Sequence, residues 1–288
     1  MNGRFKLLMG INKDWFLEKI NSFLENNERN RMKNVDNSYF FEPDVLVGFV
    51  AGNDPIFSKY KEIIGEFYLS PKEAFTWYCE NYNIPLTTNN LFVVAYILPI
   101  SMKTKEENFR CSKEMPSERW ANTRLFGEEA NVSIQKYLIE ELKKIGINSI
   151  SPTNEKRLFK INRKVWASNW SHRHCCFAAG LGSFGLSDGF INARGKAMRC
   201  GSIIVDYELH SDAIKRPSDP YEYCTKCGDC IDRCPVKAIS LERGHDKMLC
   251  SKHVMGTIPY IKENYGINIY GCGLCQVGVS CSNSIPEK

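Results

Sequence analysis

Eight cysteines fall within the last 65 residues of this 288-residue chain. They run Cys224-x2-Cys227-x2-Cys230-x3-Cys234-Pro235, then Cys250 alone, then Cys272-x2-Cys275-x5-Cys281. Spacing this close lets one loop present three thiols to one small object. The fold of the tail is therefore constrained by what its thiols hold, and its two cysteine groups must fold as one unit.

The first run is the spacing with which bacterial ferredoxins ligate [4Fe–4S] clusters, including the proline after the fourth cysteine. In two-cluster ferredoxins that fourth cysteine serves the other cluster. Eight ligands make two clusters. The expected partition is Cys224, Cys227, Cys230 and Cys281 for one, and Cys234, Cys250, Cys272 and Cys275 for the other. Zinc knuckles also use C-x2-C pairs, but they do not need three cysteines at x2, x2, x3 before a proline. A disulfide framework would need an oxidising compartment. The N-terminus MNGRFKLLMGINKDW shows no secretory pattern, and no apolar run reaches spanning length. The expectation is a cytoplasmic chain without a membrane partner that moves single electrons.

The length allows one large domain and a small one. The apolar fraction of 43% is enough to bury a core. A formal net charge of +5, scattered along the chain, permits a nucleic-acid partner without indicating one. The five remaining cysteines, Cys79, Cys111, Cys175, Cys176 and Cys200, read as small buried hydrophobes.

Residues 14–26 have helical periodicity, with Phe16, Leu17, Ile20, Phe23 and Leu24 on one face. Helices are also expected over 56–67, 70–82, 117–145 and 170–179. The third of these should bury Ile134, Tyr137, Leu138, Leu142 and Ile145. Residues 91–98, LFVVAYIL, read as a central strand buried on both faces. Shorter strands are expected at 147–150 and 199–207, and a surface loop at 103–118. The fold class that follows is α/β, a mixed three-layer α-β-α domain over residues 1–210. A polar linker, 210–221, leads into a small α+β cluster domain over residues 211–288.

Gly180-Leu181-Gly182-Ser183-Phe184-Gly185 matches G-x-G-x-x-G, and Asp206 lies about where a ribose-binding acid would fall. A dinucleotide site needs a strand before the glycines. The preceding SHRHCCFAA reads as a helix, so that context fails. Positive φ or close packing is the alternative use of such glycines.

The segments AGLGSFGLSDGFIN (179–192), RCGSIIVD (199–206), KMLCSKH around Cys250, and GCGLC (271–275) resemble the epoxyqueuosine reductases and their relatives, the reductive dehalogenases. The resemblance is strongest over 165–281. It implies a corrinoid-binding reductase domain followed by a dicluster ferredoxin-like domain. It also implies a base-off cobalamin between them, whose cobalt would be reduced through the clusters and would then reduce a small-molecule substrate. A reduced ferredoxin or flavodoxin would be the electron donor. Gly180, Gly182, Ser183, Phe184, Gly185, Gly201 and Ser202 are the residues expected to wall the cofactor. Trp166 stands where epoxyqueuosine reductases carry an acidic proton donor. The second cysteine group is C-x2-C-x5-C without a following proline, and the C-terminal helical-repeat extension of many relatives, which would offer a tRNA contact, is not expected here.

His172 is the expected proton donor, with His174, Tyr96 and Asp188 as weaker candidates. Trp120, Arg124 and Glu128 recur one turn apart and could line a pocket. Besides a reductase, the pattern suits a dicluster electron-transfer protein feeding a partner, or a corrinoid-processing protein.

Overall fold

The computed structural model describes residues 10–85, 91–209 and 215–287. The first nine residues, on which part of the signal reading rests, and residues 210–214 of the expected linker lie outside them. In chain order the first half holds α1 (Lys13–Asn26), β1 (Leu46–Ala51), α2 (Ile56–Ile64), α3 (Pro71–Tyr82), β2 (Leu91–Pro99), α4 (Met102–Arg110) and α5 (Glu118–Lys143). Then come β3 (Ser149–Ile150), β4 (Ile161–Asn162), β5 (Ala167–Ser168), α6 (His172–Ala178), β6 (Gly182–Phe184), β7 (Phe190–Asn192) and β8 (Met198–Asp206). The tail holds α7 (Asp229–Asp232), β9 (Ile239–Ser240), β10 (Gly244–His245), α8 (Lys247–Gly256) and α9 (Ile258–Tyr265).

The main sheet has the order β1-β2-β8-β3, and every neighbouring pair is antiparallel. β2 pairs along its whole length with β8, Leu91 opposite Asp206 and Pro99 opposite Met198. Both faces of the sheet are covered. Val94, Tyr96 and Leu98 pack in a core with α1 and α5; Val93, Ala95 and Ile97 pack in a second core with α3 and α6. That is why β2 is apolar at consecutive positions instead of alternating. Each fully buried side chain of this size contributes about 1.5–3 kcal/mol.

Local signals set the helix ends. Asn12 caps α1 by accepting from Trp15 N at 3.0 Å. Ser70 and Glu73 form a reciprocal capping box at α3, with Pro71 in its first turn. α2 stops at Ile64 because Gly65 turns to φ 135°, short of the expected 67. Ile145 lies beyond the end of α5 and is half-exposed, not on the buried face.

One expected loop and one unexpected strand also differ from the sequence reading. Residues 103–118 are not a surface loop: they hold most of α4 and the first residue of α5. α4 was invisible to periodicity because what it buries is polar, namely Thr104, Lys105 and Asn108. β1 also has to be added. Its apolar run is broken by Gly48, where a Cβ would stand 2.8 Å from the carbonyl of Ala179. The glycine lets the end of α6 approach the sheet.

Candidate metal centres

The cysteine-rich tail folds around two groups of thiols. A small pocket open to solvent is lined by Cys224, Cys227, Cys230 and Cys281 together with Leu186, Ile191 and Lys196. Gly228, at φ 92°, starts the short helix α7 that carries Cys230. Asp229 accepts from Ser280 N at 2.7 Å and clamps the first cysteine run to Cys281. Cys227 is exposed, so the pocket opens to solvent there, while Cys230 and Cys281 are buried.

The second group gathers behind the first. Burial pushes the Cys272 thiol up to about 12, and Cys275, Cys250 and Cys234 lie close enough to raise it further. Cys275 is raised by burial, against the attraction of Lys196, with Cys250 and Cys234 again its neighbours. Cys230 is likewise pushed up to about 11 by burial. Thiols held this way stay protonated at neutral pH until a metal displaces the protons, so loading of these sites releases acid. Among the described residues no three His, Cys, Asp or Glu side chains converge at single-ion distance. All thirteen cysteines are free thiols. Two sets of four thiols, each on a compact frame, fit cubane clusters by the chemistry of the donors.

Backbone donors reach the sulfurs. Leu186 N–H donates to Cys224 Sγ at 3.4 Å, and Ala238 N–H to Cys234 Sγ at 3.2 Å. The second group is seated on α4 and α5. Asn108 donates to the carbonyl of Cys272 at 3.1 Å and accepts from Ser117 N at 2.8 Å. Gly273, at φ 67°, lies flat on the Trp120 ring, where a Cβ would stand 1.9 Å from ring carbons. Phe109 does the same beneath Gly278, and carries Arg233 stacked 5.0 Å away. Sequence reasoning missed this platform, apart from Trp120, because α4 shows no apolar stripe.

The glycine loop follows α6 and turns through the β6–β7 hairpin. Gly180 takes φ 73°. A Cβ on Gly182 would stand 2.2 Å from the carbonyl of Ile191. Ser183 accepts from Tyr223 N at 2.9 Å, Phe184 N donates to the carbonyl of Pro220, and Gly185 N donates to that of Gly189. Phe184 also packs on His174, Phe177 and Phe190. Gly201 faces the Tyr96 ring, where a Cβ would stand 2.1 Å away. Ser202 is fully buried between Trp170 and His172. The residues expected to wall a cofactor take part in the protein's own packing, and the glycine loop also seats the tail.

His172 has both ring nitrogens engaged, Nδ1 with Ser202 Oγ at 2.7 Å and Nε2 with Thr153 Oγ1 at 3.1 Å. Burial lowers its pKa to about 4, with Glu128 raising and Arg199 lowering it. Neutral at pH 7 and bonded at both ends, the half-buried ring ties α6 to β8 and to the segment after β3. His174 is lowered to about 4 by burial and sits against Tyr60 and Phe184. Tyr96 is buried and donates to Asn131 at 2.8 Å. Burial alone would raise Asp188, but His245, Lys247 and Arg173 outweigh it and keep the carboxylate ionised. Trp166 sits exposed at φ 50° between β4 and β5.

The α5 row runs away from the second cysteine group. Trp120 touches Gly273; Arg124 bonds Tyr270 Oη at 2.7 Å and stacks on its ring; Glu128 pairs with Arg199 at 2.5 Å. Arg199 Nε is buried without an acceptor. Further along α5, Gln135 reaches His172 and Ser151.

Fold and thiols together define an iron–sulfur oxidoreductase-like architecture. Residues 220–240 match the family described as 4Fe-4S binding domain. A catabolic reductive dehalogenase solved with 3-bromo-4-hydroxybenzoic acid has a similar structure, with a TM-score of 0.53 at 14% identity over 95% of this chain and 37% of that one. An epoxyqueuosine reductase from Bacillus subtilis, solved with its catalytic aspartate loop swung out of the active site, gives 0.50 at 16% identity, covering 96% and 66%. The enzyme from Streptococcus thermophilus gives 0.50 at 12% identity, covering 96% and 69%. The chain therefore spans between about a third and two thirds of the length of these proteins. No curated protein matches its sequence. Among the described residues no helix is long and apolar enough to cross a membrane.

Proposed function

We propose that this protein is a reductase that carries electrons through two [4Fe–4S] clusters to an acceptor held beside α5. Cys224, Cys227, Cys230 and Cys281 would hold the first cluster; Cys234, Cys250, Cys272 and Cys275 would hold the second. The observation that supports the reading is that Cys224, Cys227, Cys230 and Cys281 line one pocket while Cys234, Cys250 and Cys275 are neighbours of Cys272. Electrons enter at the first set, which opens to solvent at Cys227 and would meet a small donor of ferredoxin or flavodoxin type. They leave from the second, which lies against Trp120.

The acceptor site of this reading is the row Arg124, Glu128, Arg199 and Tyr270, between the second set and His172. Its orphan donor, Arg199 Nε, suits an oxygen acceptor on a bound molecule. The sequence resemblance to epoxyqueuosine reductases and reductive dehalogenases suggests a base-off corrinoid as that molecule, acting on a small substrate. The corrinoid, when bound, would supply a strongly reducing metal centre. The protein's part is to orient it, exclude water and deliver electrons. The glycine loop, with Gly201 and Ser202, would stiffen the wall behind this site. The charge distribution does not favour tRNA as substrate.

Iron and cobalt analysis of anaerobically purified protein, with and without added cobalamin, tests this. Eight irons and a bound corrinoid reducible through the clusters are expected. Eight irons with no corrinoid binding would favour a dicluster carrier that feeds a partner enzyme. A chain without iron would end both readings.

A further inference from the structure

One buried cation lies where both thiol sets feel it. Lys196 is 2% exposed. Its backbone N–H donates to the carbonyl of Cys281 at 2.9 Å, and its side chain lines the pocket of Cys224, Cys227, Cys230 and Cys281. Gly195 before it, at φ 81°, lies so close to Ser282 that a Cβ would stand 2.2 Å from its carbonyl oxygen. That contact fixes where the lysine leaves the chain. The stem then lies over Gly189, where a Cβ would stand 2.5 Å from Lys196 Cε. The lysine is thus held at its root by the tail and along its stem by the β6–β7 hairpin. Among the described residues it pairs with no carboxylate. Its charge bears on Cys230 and Cys281 of the first set and on Cys275 of the second.

An ammonium withdrawn from bulk water is costly unless something anionic balances it. The eight thiols, once deprotonated on metals, are the anionic groups nearest to hand. We infer that Lys196 is a fixed positive charge between the two clusters that raises the reduction potential of both. It acts on the clusters through space and is a positioning residue, not a ligand. The physical basis is elementary. A cluster bound by four thiolates is anionic and becomes more so on reduction, so a nearby cation favours the reduced form. The β6–β7 hairpin then acquires a role: Gly189 must lack a side chain so that the lysine stem can lie across it.

This inference rests on the proposed cluster sites, and the two are tested separately. Eight irons in the wild-type protein test the sites. Lys196→Met, which keeps the stem and removes the charge, tests the lysine. Midpoint potentials are measured by anaerobic redox titration followed by electron paramagnetic resonance. At a fixed ambient potential the reduced-to-oxidised ratio should fall about tenfold in both couples, a shift of about 59 mV downward for one electron. Lys196→Arg should restore the wild-type potentials. A fully loaded Lys196→Met protein with unchanged potentials overturns the inference. If Lys196→Met and Lys196→Gln both lose iron, the arginine variant decides. Retained iron at wild-type potentials shows that charge is what the site requires, and loss of iron there too reduces Lys196 to packing.

Discussion

Replacing Gly273 with alanine tests whether the second cysteine group is seated on α5. Gly273 sits between Cys272 and Cys275 at φ 67°, a conformation that disfavours any Cβ by about 1–2 kcal/mol. The new methyl would also stand 1.9 Å from the Trp120 ring, which is 6% exposed and has no room to swing. Overpacking of this kind costs about 1–3 kcal/mol. Together Gly273→Ala should destabilise the fold by about 2–5 kcal/mol, a large part of a typical 5–15 kcal/mol. The two contributions can be separated. In a Trp120→Ala background the clash is gone and only the backbone part remains, so the same substitution should cost about 1–2 kcal/mol. Urea unfolding of the four proteins, followed by circular dichroism, gives the coupling, and iron analysis of the same samples reports on the site. Effects that simply add, within about 0.5 kcal/mol, would refute the seating argument.

The partition of thiols predicts which substitutions share a phenotype. Cys224→Ser and Cys281→Ser should remove the same spectral component, and Cys250→Ser and Cys272→Ser the other, each variant retaining about half of the iron. Loss of one and the same signal in Cys281→Ser and Cys250→Ser would overturn the pairing. Asn108→Ala leaves the Cys272 carbonyl and the Ser117 N–H without partners, and should cost about 1–3 kcal/mol in urea unfolding. His172 and His174 titrate near 4 when folded against 6.5 when exposed, so the unfolded chain binds more protons between those values. Their contribution is complete above pH 6.5 and is lost as pH falls toward 4, by about 3 kcal/mol each. His172→Gln should flatten the slope of stability against pH in that window; an unchanged slope would show that the ring is not buried neutral.

Much of the fold was legible where burial follows a simple period. β2 is apolar at consecutive positions because both its faces are covered. α1 announces itself by the spacing of Phe16, Ile20, Phe23 and Leu24, and α3 starts at Ser70 as expected. The cysteine spacing was legible because ligand geometry acts over a few residues. What escaped was long-range. α4 buries Asn108 against Cys272, 164 residues away, and nothing local marks an asparagine as a strut. Lys196 carries no signal either, since its surroundings come from Gly189, Cys230 and Cys281, on three separate segments. His172 stood out because it starts a helix next to the donor region of the resembled family. Its partners Thr153 and Ser202 arrive from other elements and close it in.

The clamp between Asp229 and Ser280 has a consequence for how the protein is made. Three thiols of the first set leave the ribosome within seven residues of one another, but the fourth, Cys281, follows 51 residues after Cys230. Until it arrives, an incomplete three-thiol loop stands open, able to take up a stray soft metal or to oxidise. Under the proposed partition, iron delivered early would be captured by an unfinished site. Maturation should therefore depend on when iron is delivered relative to synthesis of the tail, as well as on how much is supplied.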